Sequence, residues 1–487
     1  MDSDLPPIVV NEVQAVDQDR VLLGGKGAGL FWMASLGVPV PPFFMLTTRA
    51  WREWDEAGQL LEPHTSMIME MIRWLEQRTG RTFGRGPRPL LVSVRSAGMV
   101  SMPGMMDTIL NLGLTPEALG ALHEEFRSLQ IVGDVITTFV DTATPVFASQ
   151  HGGKPVPRPV IPVAAQDQLV GAIEGVFASW NNHRARLYRR INRIPDEHGT
   201  AIVVQAMVFG NADAESGAGV LFTRDPVTGS GDPRGEWVAA AQGEAIVSGR
   251  MTPAPVHELA CCQPDVFDQL LRIARCLERE AGEPQDIEFT VERGKLFLLQ
   301  TRALKHTPLA GCRIVLALLD EGSITRDEAI QRLSSIDFAD LAIEALVQPP
   351  ADELLLATGL PASPGIAHGV VARDVGSAPS VTSERHPLVL LRPETSPHDL
   401  PVMRRAAALV TERGGLTSHA AIIARELRIP CVVGCGDLDS VRSGGEVTVD
   451  GAAGRLYAGR LATERSVPEI VRRARSLVAE GEEVSTT

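Results

Sequence analysis

The stretch Thr-Glu-Arg-Gly-Gly-Leu-Thr-Ser-His at 411–419 carries the strongest chemical signal in this chain. A strand-like AAALVTE segment runs into Gly414-Gly415, then Thr417, Ser418 and His419, then a segment with apolar Ile422, Ile423 and Leu427 at helical spacing. Either Thr417 or Ser418 can cap that helix, which puts His419 in its first turn. A phosphate on the ring would meet free backbone N–H groups and the positive end of the helix, with Arg413 nearby in sequence. Neutral imidazole is a nucleophile near pH 7, and its N–P bond keeps enough free energy to pass a phosphoryl group on. The competing expectation is a histidine of the capping region with no chemistry.

A second constellation lies in DIEFTVERGKLFLLQTR (286–302), whose pattern predicts two strands joined at Glu292-Arg293-Gly294. Period-2 alternation puts Asp286 and Glu288 on one face and Gln300 and Arg302 on one face of the returning strand. Glu and Gln oxygens suit Mg²⁺ held against a nucleotide's phosphates, and Arg302 could neutralise charge on a transferring phosphoryl group. A solvated hairpin face would account for any of them singly.

Two further segments bear on phosphate. GGKGAGL (24–30) puts glycines and Lys26 ahead of a probable helix, an arrangement that lets backbone N–H groups approach an anion. The spacing is not that of a Walker A loop, and a glycine-rich turn packing a helix closely is equally consistent. In VSVRSAGMVSMPGMMDTILNLGL (92–114), Arg95 ends an apolar strand, followed by Gly98, Pro103, Gly104, four methionines and Asp107. Arg95 either clamps phosphate oxygens or pairs with a structural carboxylate such as Asp107. The methionines read as packing.

The elements that must position these residues alternate between helix and strand, without repeats. Residues 51–79, with Met67, Met69, Met71, Ile72 and Leu75 at helical spacing, and 166–192 read as helical. PLLVSVRSA (89–97) reads as a buried strand, and 201–210 and 218–226 as neighbouring strands. Residues 306–352 read as a helical linker ending in VQPPADE, with candidate hinges near 303–306 and 348–353. A compact segment over 353–465 offers the strands GIAHGVVARD, LVLLR, AAALVTE, CVVG and EVTVD, and a helix follows Arg465. The expected fold class is therefore α/β and α+β multidomain: a large domain over 1–305, a linker over 306–352, a small mobile domain over 353–465 and a tail over 466–487.

Composition bounds the function. The 487 residues suggest two to four domains, and 44% hydrophobic with 22% charged residues is globular. Mean hydropathy is +0.05, and no uninterrupted apolar run reaches the length of a spanning helix. The acidic start MDSDLPPIVV lacks the basic residues of a targeting peptide, so a soluble, cytoplasmic protein is expected. A net charge of −14 argues against non-specific nucleic-acid binding. Of the 46 basic residues only Lys26, Lys154, Lys295 and Lys305 are lysines. The six cysteines have no metal-site spacing and read as inert, reduced core residues.

The order of GGKGAGL, VSVRSAGMVSMPGMMDTILNLGL, SWNNHRARLYRRINRIPDEHGTAIVVQAMVFGN, SGAGVLFTRDPVTG, DIEFTVERGKLFLLQTR and GGLTSHAAIIARE resembles that of the pyruvate phosphate dikinase family from about residue 10 to 460. The resemblance implies an ATP-grasp-like nucleotide-binding domain followed by a small swivelling phosphohistidine α/β domain. ATP and inorganic phosphate would give AMP, pyrophosphate and phosphorylated His419. Lys26 and Arg95 would bind nucleotide phosphates, Glu288 and Gln300 the Mg²⁺ nucleotide, and Arg302 would assist the phosphoryl groups, with Asp286 and Thr223 in the same pocket. Thr417 matches a position that is regulated by phosphorylation in some members. Full-length dikinases continue into a barrel that binds pyruvate, and the residues after Arg465 are too few to build one. The expected acceptor, pyruvate or another small molecule, therefore sits on a separate chain. A water-using synthase-like or antibiotic-type phosphotransferase, and a silent nucleotide-binding regulator, are the alternatives.

Overall fold

A computed structural model of the chain describes residues 7–13, 19–100, 102, 104–149, 161–242, 253–338, 341, 343–348, 350–373, 387–396 and 399–485. Pro103, Lys154, Pro349, Asp374 and the first six residues, all named above, lie outside these. The fold is mixed α/β and multidomain, and the chain divides into two compact units. One comprises 1–216 with 290–302, the other 217–289 with 303–487.

The first unit is built on an antiparallel sheet of β1 (Val9–Asn11), β2 (Phe43–Leu46), β3 (Val92–Ala97), β4 (Thr108–Leu112) and β5 (Ala201–Ala206), in the order β1-β2-β5-β3-β4. Every residue of β2 and β5 is buried, as expected of central strands covered on both faces. α1 (Arg20–Ser35) breaks at Gly24, whose φ of 67° is non-helical, so the helix proper begins inside the glycine motif. The predicted helix over 51–79 is two, Thr48–Ala57 and Glu62–Thr79, interrupted at left-handed Gly58. Ile68, Ile72 and Leu75 are buried in the same core as Val92 and Val94, with Met67, Met69 and Met71 partly buried against it. The helix predicted over 166–192 likewise splits, into α2 (Ala165–Ser179) and His183–Asn192.

One helix bears on the expectation about membranes. Leu129–Ala148 is long and apolar enough to cross a bilayer by length and composition, despite Asp134 and Asp141 interrupting its apolar runs. Its Val132, Val135, Phe139, Ala143, Val146 and Phe147 belong to the first unit's core, which accounts for that apolarity by packing.

A second sheet, of β6 (Gly217–Phe222), β7 (Arg234–Ala239), β8 (Ala254–Pro255), β9 (Gln285–Glu292) and β10 (Lys295–Ala303), has the order β8-β7-β6-β9-β10, and the division between units cuts through the β9–β10 hairpin. The segments 201–210 and 218–226 are both strands, but they belong to different sheets. Uniform burial on each removes any alternation that could have distinguished partner from stranger. The hairpin forms as expected. Its two-residue turn has Arg293 at φ 50° and Gly294 at φ 72°, the positive pair whose twist matches flanking strands.

Helices α3 (Pro264–Ala281), α4 (Pro308–Asp320) and α5 (Arg326–Ser334) follow. The terminal helix α6 (Glu469–Ser485) buries Val471, Ala474 and Leu477 with Ile314, Leu318 and Leu333 of α4 and α5. Ile343–Leu346 pairs with Thr463–Ser466, so a ladder ties the linker to the residues just before the terminal helix. Among the described residues, eight strands lie between them: β11 (Leu355–Thr358), β12 (Leu360–Ser363), β13 (Ile366–Ala372), β14 (Leu388–Arg392), β15 (Ala406–Thr411), β16 (Cys431–Val433), β17 (Glu446–Asp450) and β18 (Arg455–Ala458), ordered β11-β18-β17-β13-β14-β15-β16-β12. The five predicted strands are present; β11, β12 and β18, short and half-exposed in part, were not foreseen. β11 and β12 sit at opposite ends of this order yet are joined through Gly359 alone, so the sheet curls until its edges meet. Gly359 N–H donates to the Gly454 carbonyl at 2.9 Å, and a Cβ there would lie 2.6 Å from the Val433 oxygen.

Cys312 and Cys431 are buried, but Cys261 and Cys262 are exposed on the short helix Leu259–Cys262, against the expectation of a uniformly buried set. Burial pushes the Cys312 thiol up to about 11 and Cys435 up to about 12, so these two are protonated and inert at neutral pH.

Candidate active site

The parallel strands β14, β15 and β16 bring the histidine motif to one end of the curled sheet. β15 ends at Thr411, the chain turns through left-handed Gly414 (φ 104°), and His419 is the first residue of a nine-residue helix, His419–Leu427. Ser418, not Thr417, caps it, accepting from the Ala421 N–H at 3.4 Å. The ring is half-buried, and its Nδ1 lies 3.2 Å from the Thr395 hydroxyl. A hydroxyl on Nδ1 fixes the ring's rotation and leaves Nε2 as the nitrogen available for a reaction. Burial lowers the pKa of His419 below the ordinary value, while Asp399 and Glu426 pull the other way. The imidazole is therefore neutral at pH 7, the form a nucleophile requires. Arg413 is exposed, its backbone N–H given to the Pro393 carbonyl at 3.0 Å.

Thr417 is buried at 6% exposure, and its hydroxyl donates to Glu236 of β7 at 2.6 Å. Glu236, Thr395 and Arg425 were all missed by sequence reasoning. The first two lie 181 and 24 residues from their partners, and no local pattern links them. Arg425 could have been suspected from its place on the histidine's own helix.

The residues expected to bind phosphate divide between the units. Asp286 and Glu288 belong to the second, Lys26, Arg95, Gln300 and Arg302 to the first. On β9, Asp286 is buried and Glu288 half-buried; on β10, Gln300 and Arg302 are half-buried, following buried Leu296 and Leu298 of the same parity. The hairpin thus passes from core to accessible surface along one face. Among the described residues no group of three His, Cys, Asp or Glu side chains could hold a metal. The donor set nevertheless fits Mg²⁺: Glu288 and Gln300 carry hard oxygens, and this ion takes one or two protein oxygens, filling its shell with water and substrate phosphates.

Arg95 pairs with Val203 in register and donates to the Gln205 amide oxygen at 2.6 Å and the Leu299 carbonyl at 3.2 Å. Asp107 is engaged by Arg184 at 3.0 Å. Both of these partners of Arg95 are neutral oxygens, which orient the guanidinium. Close packing does account for the glycine motif. A Cβ on Gly24 would sit 1.8 Å from the Ala97 oxygen, and Gly25 N–H donates to the Gly98 carbonyl at 2.9 Å. Lys26 follows at once, half-buried. Buried Thr223 is committed within the second unit: its hydroxyl donates to Glu278 and accepts from the Gln285 N–H at 2.9 Å.

Residues 385–454 match the mobile domain of PEP-utilising enzymes, which includes the whole histidine loop. Residues 62–261 match the AMP/ATP-binding domain of pyruvate phosphate dikinase. Among curated relatives, the chain is 38% identical to the pyruvate, phosphate dikinase of Clostridium symbiosum, over 92% of this chain and 57% of that protein. It is 37% identical to that of Rhizobium meliloti (92% and 57%) and 37% identical to pyruvate, phosphate dikinase 2 of Zea mays (91% and 56%). The fold and the histidine loop are thus those of the PEP-utilising class. Within it, the chain belongs to the pyruvate phosphate dikinase family, and spans a little over half the length of these relatives.

Proposed function

We propose that this chain carries out the nucleotide half of a dikinase-type phosphotransfer. In this reading an ATP-grasp-like domain over 1–305 binds ATP, the linker 306–352 connects it to a phosphohistidine domain over 353–465, and 466–487 forms a tail. The observation that carries it is His419: a neutral, half-buried imidazole at a capped helix N-terminus, its Nδ1 set by Thr395. Nε2 attacks the β-phosphorus of ATP, AMP leaves, and inorganic phosphate takes the γ-phosphoryl as pyrophosphate. The phosphoryl left on His419 meets the N–H groups of the helix's first turn, which favour the added negative charge.

Lys26 and Arg95 bind the nucleotide phosphates as fixed cations, and Arg302 stabilises the charge on the group in transfer. Glu288 and Gln300 hold Mg²⁺, which when bound neutralises phosphate charge. Asp286 and Thr223 stand beside them as pocket neighbours, Thr223 by fixing the start of β9 at Gln285. The phosphoryl then passes to pyruvate or another small acceptor bound on a separate chain or domain.

Thr417 is the proposed regulatory position. Its hydroxyl is buried and given to Glu236, so a modifying enzyme reaches it only when the loop has left that carboxylate. A Thr417→Val protein that is still switched off in cells would remove that role. For the reaction itself, acid-labile label from β-labelled ATP should appear on wild type and not on His419→Ala. Equal labelling of the two would exclude His419 as the carrier.

A further inference from the structure

Glu236 is a carboxylate placed where carboxylates are rarely found. It stands in the middle of β7 at 4% exposure, opposite Val220 of β6 and Pro255 of β8, 180 residues before the loop it touches. Burial pushes its pKa above the ordinary carboxylate value, and the loop's donors, with Arg425 behind them, offset part of that rise. A buried charge persists only where hydrogen bonds replace the lost water. Here they come from the histidine loop: Oε1 accepts from the Leu416 N–H, and Oε2 from the Thr417 N–H at 3.3 Å and the Thr417 hydroxyl at 2.6 Å. From the helix that follows, buried Arg425 donates to the Leu416 carbonyl at 3.0 Å and the Ala362 carbonyl at 3.2 Å. Residues 416 and 417 are thus held from both sides, two positions before His419.

The glycine at 415 belongs to the same arrangement. Unlike Gly414, its backbone is not left-handed, so conformation alone does not demand glycine. Space does. A Cβ on Gly415 would lie 2.1 Å from Oε1 of Glu236 and 2.6 Å from Oε2. The two glycines of the motif therefore do different work: Gly414 makes the turn, and Gly415 makes room for a carboxylate from a distant strand.

We infer that Glu236 is a positioning residue for the reaction of His419, its carboxylate seating the loop so that the imidazole is presented to the nucleotide. The inference rests on the phosphotransfer reading above. The hydrogen bonds of Glu236 to the loop go to residues 416 and 417, and it acts through that backbone. A seating contact that must also release the loop is well served by hydrogen bonds, which reform on each cycle.

The test is the rate of His419 labelling by β-labelled ATP with Mg²⁺ and phosphate, in the full chain. Glu236→Gln keeps the shape and loses the charge; Glu236→Ala leaves the loop's donors unpaired. Both should lower the maximal labelling rate by about tenfold or more, with the KM for ATP within about twofold of wild type. Gly415→Ala should lower it comparably when Glu236 is present and add little to Glu236→Ala, because the clash is gone. Unchanged labelling in Glu236→Gln, a rise in KM alone, or independent multiplication of the Gly415 and Glu236 effects would each overturn the inference. Should Glu236→Ala fail to fold, the near-isosteric Gln variant carries the test. Absence of label on wild type would remove the phosphotransfer reading, and this inference with it; label on wild type and all variants alike would remove this inference alone.

Discussion

In the proposed reaction His419 depends on the burial that keeps it neutral and on the Thr395 hydroxyl that turns it. A lowered imidazole pKa means the ring gives up its proton more readily, so the nucleophilic form survives further into acid. The acid limb of the labelling rate against pH should accordingly fall with a midpoint below the ordinary 6.5 of histidine; a midpoint above it would contradict the burial argument. Thr395→Val removes the hydroxyl at nearly constant volume, and should slow labelling about tenfold without shifting the thermal midpoint by more than a few degrees. Loss of stability with no loss of rate would make Thr395 structural. The histidine, its cap and its helix were legible in sequence because they are contiguous. Thr395 and Glu236 were not, since contacts formed across 24 and 181 residues leave no mark on local spacing. Arg95 shows the reverse: sequence proximity suggested Asp107, and the strand pairing gave it Gln205.

At the scale of elements, glycines decide more than hydrophobic period. α1 is broken in two at Gly24, which turns the chain with φ 67° against the carbonyl of Ala97. Gly24→Ala must both adopt a conformation that favours glycine and displace backbone, and should cost about 3 kcal/mol or more. Denaturant melts reading under about 0.5 kcal/mol would show that the turn relaxes freely. The hairpin was legible because Arg-Gly at the turn and apolar runs on both sides are local signals. The edge strands β11, β12 and β18 were not, since strands of four residues carry too few positions to show a period. The sheet membership of 201–206 and 217–222 was equally hidden, both being buried at every residue.

For the whole molecule, a histidine that serves a nucleotide and then an acceptor needs a domain that moves between them. The contacts within the second unit name what such motion must break: Glu236 with the 416–417 loop, and the Lys305–Glu426 ion pair. Cysteines at 305 and 426, joined by a bifunctional thiol reagent, should preserve labelling of His419 and abolish discharge of the phosphohistidine to its acceptor. Exposed Cys261 and Cys262 must first be replaced by serine, or they will consume the reagent. Retention of both steps in the cross-linked protein would end the moving-domain account. The return of the tail to the linker helices was not legible in the chain, since it depends on Val471, Ala474 and Leu477 meeting residues some 150 positions earlier.

The most direct measurement follows the β-phosphate of ATP. With Mg²⁺ and inorganic phosphate, wild type should acquire acid-labile, base-stable label and release AMP, His419→Ala should acquire none, and omission of phosphate should reduce the yield. Release of ADP without label on His419, from a protein that binds ATP, would contradict the account at its centre.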